Sequence, residues 1–207
     1  EIYESPVMSD ELARRYPEIR TFKVYGIDDP MASGRLDITP QGFHAMLHTS
    51  QGRLFIDPHH NTQLFGRYQA RAQNSAAATG YSCGVDEHAM PVVAANQSLL
   101  RPAAARIAGS FLRYRLAVSA TEEYVAAVGG GTVAGAQAAI VTAINRVNEI
   151  YQRDLGIQLM LVDDNEDLIE DSGNVTFSNG DPFEMFIQNQ AWIDTTIGSS
   201  NYDIGHV

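Results

Sequence analysis

The sequence predicts an α+β protein: a β-rich first half, then a second half in which strands and helices alternate around a mixed sheet with two helices. Three observations carry this. Short alternating runs separated by turn clusters fill the first 60 positions or so. A long amphipathic repeat from Val133 to Tyr151 is followed by a nearly unbroken apolar run, Ile157 to Val162. From Phe111 onward the order is strand, long helix, strand, short helix, strand, and at Val207 the sheet this order implies is still unfinished. Open sheets of this kind place their chemistry beyond their strand ends, so that chemistry is expected in further sequence. The predicted organisation is a β-rich unit over 1–82, a linker over 83–106 and an incomplete α/β unit over 107–207.

In chain order, Ser9 ahead of Glu11, Leu12 and Ala13 predicts a capped helical turn that closes before Pro17. Strands are predicted over Ile19 to Tyr25, Arg35 to Ile38, Gly42 to His48 and Arg53 to Ile56, with turns at Asp28-Asp29-Pro30 and Thr49-Ser50-Gln51-Gly52. Between Gln69 and Arg106 the apolar period fades into Ala, Ser, Asn and Gly, which reads as connecting chain. Tyr114, Leu116 and Val118 alternate with Arg113, Arg115 and Ala117, predicting a strand that runs toward Val128 and ends at Gly129-Gly130-Gly131.

In the long helix, Val133, Ala136, Ile140, Ile144, Val147 and Tyr151 form one stripe, and Gln137, Asn145, Asn148, Glu149 and Gln152 lie opposite. Gly156 supplies a left-handed stop, and the following strand completes a βαβ unit. Asp181-Pro182-Phe183-Glu184 reads as N-cap, first-turn proline and capping-box acid, ahead of an apolar stripe of Phe183, Phe186, Ile187, Ala191 and Ile197. A last strand begins at Tyr202.

The chain has 207 residues, of which 14 are basic and 25 acidic, for a net charge of −11. That balance argues against nucleic acid and anionic membrane surfaces as partners. No run reaches the roughly 18 apolar residues of a membrane span. Glu1 is not an initiator, so the chain is expected to be trimmed, and a lost secretory leader is compatible with that. The lone cysteine, Cys83, excludes internal disulfides.

Several motifs invite chemistry. His44 and His48 have the spacing of a helical zinc motif, but Ala45 stands where that motif carries its base. The alternation makes the segment a strand, on which residues four apart sit roughly 13 Å from one another. One zinc ion with bonds of about 2 Å cannot join them. His59 and His60 read as an exposed loop pair. Gly129 to Gly135 precedes a helix and could cradle a phosphate, yet it lacks the Gly-Lys-Ser/Thr ending and misses the dinucleotide spacing, so a tight turn is the better reading.

Asp163, Asp164, Asn165, Glu166 and Asp167 are similar to a calcium loop, but Leu168 and Asn174 stand where Gly and a bidentate Glu are needed. A solvated acidic loop is expected, with room for an adventitious cation. Cys83-Gly84-Val85 sits at the junction of the two units, where a thiol could reach the active site of a following domain and ligate its metal; a plain buried or exposed cysteine is the alternative.

Leu12-Ala13-Arg14-Arg15-Tyr16-Pro17-Glu18-Ile19 through Gly26-Ile27-Asp28-Asp29-Pro30, Arg113 to Val118 through Gly131-Thr132-Val133-Ala134-Gly135, Ile144 to Asn148, and Ser200 to Val207 together resemble secreted bacterial reprolysin-like zinc metalloproteases of the metzincin clan. The resemblance implies that 1–82 is a prodomain and that 107–207 is the amino-terminal half of a catalytic domain. The zinc-binding helix of that clan has no counterpart here. Its histidines and glutamate base are therefore expected beyond Val207, and this portion alone is expected to be inactive.

The intact parent would use zinc-activated water on protein or peptide substrates. Cys83 would then be a latency ligand for that zinc, although Ser82 replaces the usual arginine and no proline follows Val85. Arg101 and Arg106 offer an activation-cleavage region, and a contact between prodomain and catalytic half is expected. A rival from another class is a β-rich binding or adhesion module on a non-catalytic α/β scaffold, and a third is a nucleotide-binding βαβ protein.

Overall fold

The computed structural model describes residues 1–59, 67–72, 112–171, 173 and 177–207. The first half is an antiparallel meander whose strands lie side by side in chain order: β1 (Ile2–Glu4), β2 (Arg20–Tyr25), β3 (Ser33–Thr39), β4 (Gly42–Thr49), β5 (Gly52–Pro58) and β6 (Tyr68–Ala72). The four expected strands are present with small boundary shifts. The edges β1 and β6 were not anticipated. β6 falls where the apolar repeat fades, because every residue in it is exposed and, among the described residues, only β5 pairs with it. A strand that buries neither face leaves no period to read.

Between β1 and β2 the chain leaves this sheet. Ser9 accepts from the Leu12 amide and opens α1 (Asp10–Arg15), the expected turn. Just before it, Val7 and Ser9 bond to Leu161 on the far side of the sequence: the Leu161 amide donates to Val7 at 2.8 Å, and the Ser9 amide donates to Leu161 at 3.0 Å.

The second half holds a parallel sheet in the order β8-β7-β9, from β7 (Leu112–Val118), β8 (Ile157–Leu161) and β9 (Ile204–His206). Helix α3 (Val133–Asp154) crosses from β7 to β8, and Gly156 stops it at φ 68°. Helix α4 (Pro182–Thr196) leads to β9 and is capped by the Asp181 carboxylate, which accepts from the Phe183 and Glu184 amides.

Two expectations are corrected. The strand toward Val128 stops at Val118, and α2 (Glu122–Val128) follows, opened by the Thr121 hydroxyl. The stretch from Thr121 is a capped helix with acids in its first turn, a signal that the alternation ahead of it masked. The supposed apolar stripe of α4 is also largely outside: Phe183 is 75% and Phe186 66% exposed, while Ile193 and Ile197 are the residues buried.

The parallel sheet has apolar layers on both faces. Leu116, Val118, Leu159 and Leu161 pack with Ala136, Ile140, Val141 and Ile144 of α3, and Val7, Met8, Leu12, Tyr16 and Ile19 complete that same cluster. On the other face Ala117, Val162 and Leu168 meet Ile193 and Ile197. Leu116, Ala117 and Val118 thus point alternately to two cores, as a doubly covered strand must.

Candidate functional site

The most heavily built polar region joins the first sheet to α3. Successive inward positions of β3 are Arg35, Asp37 and Thr39, all buried, whereas the intervening Ile38 is half exposed. Arg35 is fully buried and donates to Asn145 Oδ1 at 2.5 Å, to Gln152 Oε1 at 3.2 Å and to the Ser5 carbonyl at 2.6 Å. Asp37 accepts from Thr142 Oγ1 at 2.6 Å and Asn145 Nδ2 at 3.0 Å, and His44 Nδ1 lies 3.1 Å from it. Ser33 bonds to Glu149 at 3.3 Å.

The polar residues opposite the apolar stripe of α3 therefore do not face solvent. Gln137, Asn145, Asn148, Glu149 and Gln152 are all buried. Asn148 pairs with both backbone groups of Leu159, and Gln137 meets Asn165. Burial pulls the Arg35 guanidinium down to about 10 against the attraction of Glu149 and Asp37, which leaves it charged at neutral pH. Burial likewise raises Glu149 above its ordinary value, only partly offset by Lys23, Ser33, Arg35 and Arg153. The network ties β3 to α3.

At the carboxyl ends of β7 and β8 the acidic loop forms a single 3-10 turn over Asn165–Leu168. Leu168 is buried in the second apolar cluster, which explains why the glycine of a calcium loop is absent. The loop's cationic partner is Arg15 of α1, which reaches Glu166 Oε1 and the Asp163 carbonyl at 2.5 Å each and Asp164 at 3.3 Å. Tyr16 Oη donates to Glu166 Oε2 at 2.6 Å; burial first, then this bond, raises its pKa. Asn165 faces inward, accepting from the Val118 amide at 2.8 Å where β7 and β8 part.

The glycine stretch closes on itself. Thr132 Oγ1 donates to the Gly129 carbonyl and accepts from the Gly135 amide, both at 3.1 Å. Gln41, from the turn between β3 and β4, donates to the Val128 and Gly135 carbonyls at 2.9 Å each. A methyl on Gly135 would meet the Gly129 carbonyl oxygen at 1.9 Å, so the tight-turn reading holds.

His44 and His48 both lie in β4, as expected, with His44 committed to Asp37. Cys83, His60, Arg101, Arg106 and Asn174 lie outside the described residues. Among the described residues, no group of three or more His, Cys, Asp or Glu side chains is placed to hold a metal ion. They do not fit a zinc centre, and no catalytic step is assigned to them. Sequence reasoning missed Arg35, Asp37, Thr142 and Arg15. The readable signal was an Arg-x-Asp pair on one strand face, which matters only beside a partner carrying amides.

Next to β9, Arg115 forks onto Asp203, with Nη2 to Oδ1 at 2.7 Å, and its own amide bonds to the same carboxylate at 2.7 Å. The guanidinium bond, followed by the amide bond, holds Asp203 below the usual carboxylate range. This clamp sets the entry of β9 beside β7.

No curated protein and no solved structure matches the chain. One family model does, described as Metallo-peptidase family M12B Reprolysin-like, and it covers residues 112–207, from the first residue of β7 through β9. Residues 112–207, a little under half of the chain, are therefore similar to the reprolysin-like metallopeptidases of family M12B.

Proposed function

We propose that the chain is the amino-terminal portion of a secreted bacterial zinc metalloendopeptidase zymogen, with 1–82 as prodomain and 107–207 as the first half of the catalytic domain. The observation that carries this reading is the coincidence of the parallel β8-β7-β9 order, α3 crossing between its first two strands, with the residues that match the M12B reprolysin-like model. The zinc ligands are assigned to sequence after Val207, since His-Glu-x-x-His does not occur in the chain. Residues 1–207 alone are then inactive, and protein or peptide chains are the parent's substrates. Cys83 is assigned as the thiol that keeps the parent latent.

Two proteins test this: residues 1–207, and the same chain extended through the next hundred or so encoded residues. The extended chain should cleave an unstructured protein, lose that activity to a zinc chelator and regain it with added zinc, whereas 1–207 cleaves nothing. With Cys83→Ala in the extended chain, cleavage should begin without prior processing. Chelator-resistant cleavage by 1–207, or a continuation lacking a histidine triad, overturns the reading.

A further inference from the structure

We propose that residues 1–58 remain bound to the reprolysin-like segment after the chain is cut between residues 73 and 111, as a permanent non-covalent subunit and not as a detachable leader. This stands on contacts alone and does not depend on the segment being proteolytic.

Four sets of contacts carry it. First, Val7–Ser9 join the edge of the parallel sheet through one isolated parallel bridge, Met8 opposite Leu161, made by the two backbone bonds to Leu161 and flanked by a bond from Gln158 Nε2 to the Pro6 carbonyl. Second, Val7, Met8 and Leu12 are among the most buried side chains in the cluster that also holds Leu116, Leu159, Leu161 and Ile140. Withdrawing them would open the core of the other half to water.

Third, Arg35 and Asp37 bury a charged guanidinium and a carboxyl group against α3, with Thr142, Asn145 and Gln152 as partners. Separation would leave those partners short of the bonds made here. Fourth, the rim is tied by Arg15 to Glu166 and by Arg146, which pairs with Asp57 and stacks 5.6 Å from the Phe55 ring centre. An interface that combines a backbone bridge, a shared core and a hydrogen-bonded buried network behaves like the inside of a domain.

The geometry also shows what retention leaves open. Among the described residues, the Val7–Ser9 segment lies on the β8 side of the parallel sheet, and β9 forms the opposite edge, with β7 between them. Residues 1–58 can thus stay in place while the β9 side is approached.

The test inserts a site-specific protease sequence between Gln97 and Ser98 of the full chain, cuts it to completion as judged on a denaturing gel, and passes the product over a sizing column in native buffer. Both pieces should co-elute at the volume of the uncut chain, down to nanomolar loading. They should part only at the urea concentration where helical circular dichroism is lost. Elution of two separate species in native buffer overturns the proposal. As a second measurement, Arg35→Met in the cut protein should raise the concentration at which the pieces separate about a hundredfold, the usual effect of truncating one partner of a buried hydrogen-bonded charge. An unchanged concentration would remove the buried network from the argument.

Discussion

Arg35 shows how one side chain can join two halves of a chain. It has three acceptors, two of them on α3, and no access to solvent. Arg35→Ala strands Asn145 and Gln152 beside a cavity, and by analogy with broken buried charge pairs it should cost about 3 kcal/mol of unfolding free energy, read from the urea midpoint. A change below about 1 kcal/mol, the level of a surface substitution, would mean that the network is replaced by water.

His48 and Glu149 set the pH response at the same junction. Burial, then Arg153 and Arg53, lowers His48 below its ordinary 6.5. The unfolded chain then takes up that proton first, and stability falls as pH drops through and below 6.5. Glu149, raised above 4.5, acts with the opposite sign: the folded state gains stability as pH falls through its raised value. His48→Gln should therefore flatten the decline in melting temperature between neutral and mildly acidic pH. Glu149→Gln should raise that temperature at neutral pH and remove the acid-side gain. Thermal melts at a series of pH values decide both.

These residues mark the limit of what was legible. The helical period of α3 and its stop at Gly156 were readable, because one apolar stripe suffices to state them. The fate of the opposite polar face was not, because Asn145, Glu149 and Gln152 look the same whether they meet water or Arg35 and Ser33. Only the tertiary partner tells them apart.

At the scale of elements, the turn between α2 and α3 is tested by its glycines. Gly131 has φ +75° with open space around a Cβ, whereas Gly135 has ordinary φ but a carbonyl oxygen 1.9 Å from where a Cβ would sit. Gly131→Ala should cost about 1 kcal/mol, the usual penalty of left-handed backbone, and Gly135→Ala about 2 to 3 kcal/mol, because backbone must move. The reverse order would contradict the self-closed turn.

Caps were the surest guide along the chain. Ser9 and Asp181 were read correctly because a side-chain oxygen ahead of an amide run is a local fact. α2 was missed although Thr121 caps it, since the alternation of β7 was carried past its real end at Val118. The stripe of α4 failed for another reason: apolar spacing names a face but not its neighbour. In this helix Ile193 and Ile197 meet the sheet, while Phe183 and Phe186 stay outside.

For the molecule as a whole, the α+β class and the alternating order of the second half were legible, and so was the likeness to reprolysin-like metallopeptidases that the family match over 112–207 supports. The insertion of the first half into the second was not. Nothing in Val7-Met8-Ser9 announces β8 as a partner, since strand pairing carries no local signature when the mate is distant. The retention experiment above belongs to this scale, as does the extended-chain assay, which asks where the catalytic metal is held.

The bridge between Val7–Ser9 and β8 has a consequence for the order of synthesis. Pro6 and Gln158, bonded in the finished protein, stand 152 positions apart. A ribosome delivers the first of them long before the second, and so wide a loop is slow to close. Val7, Met8 and Leu12 cannot meet β8 until it has emerged, which makes their docking a late event in the birth of this protein.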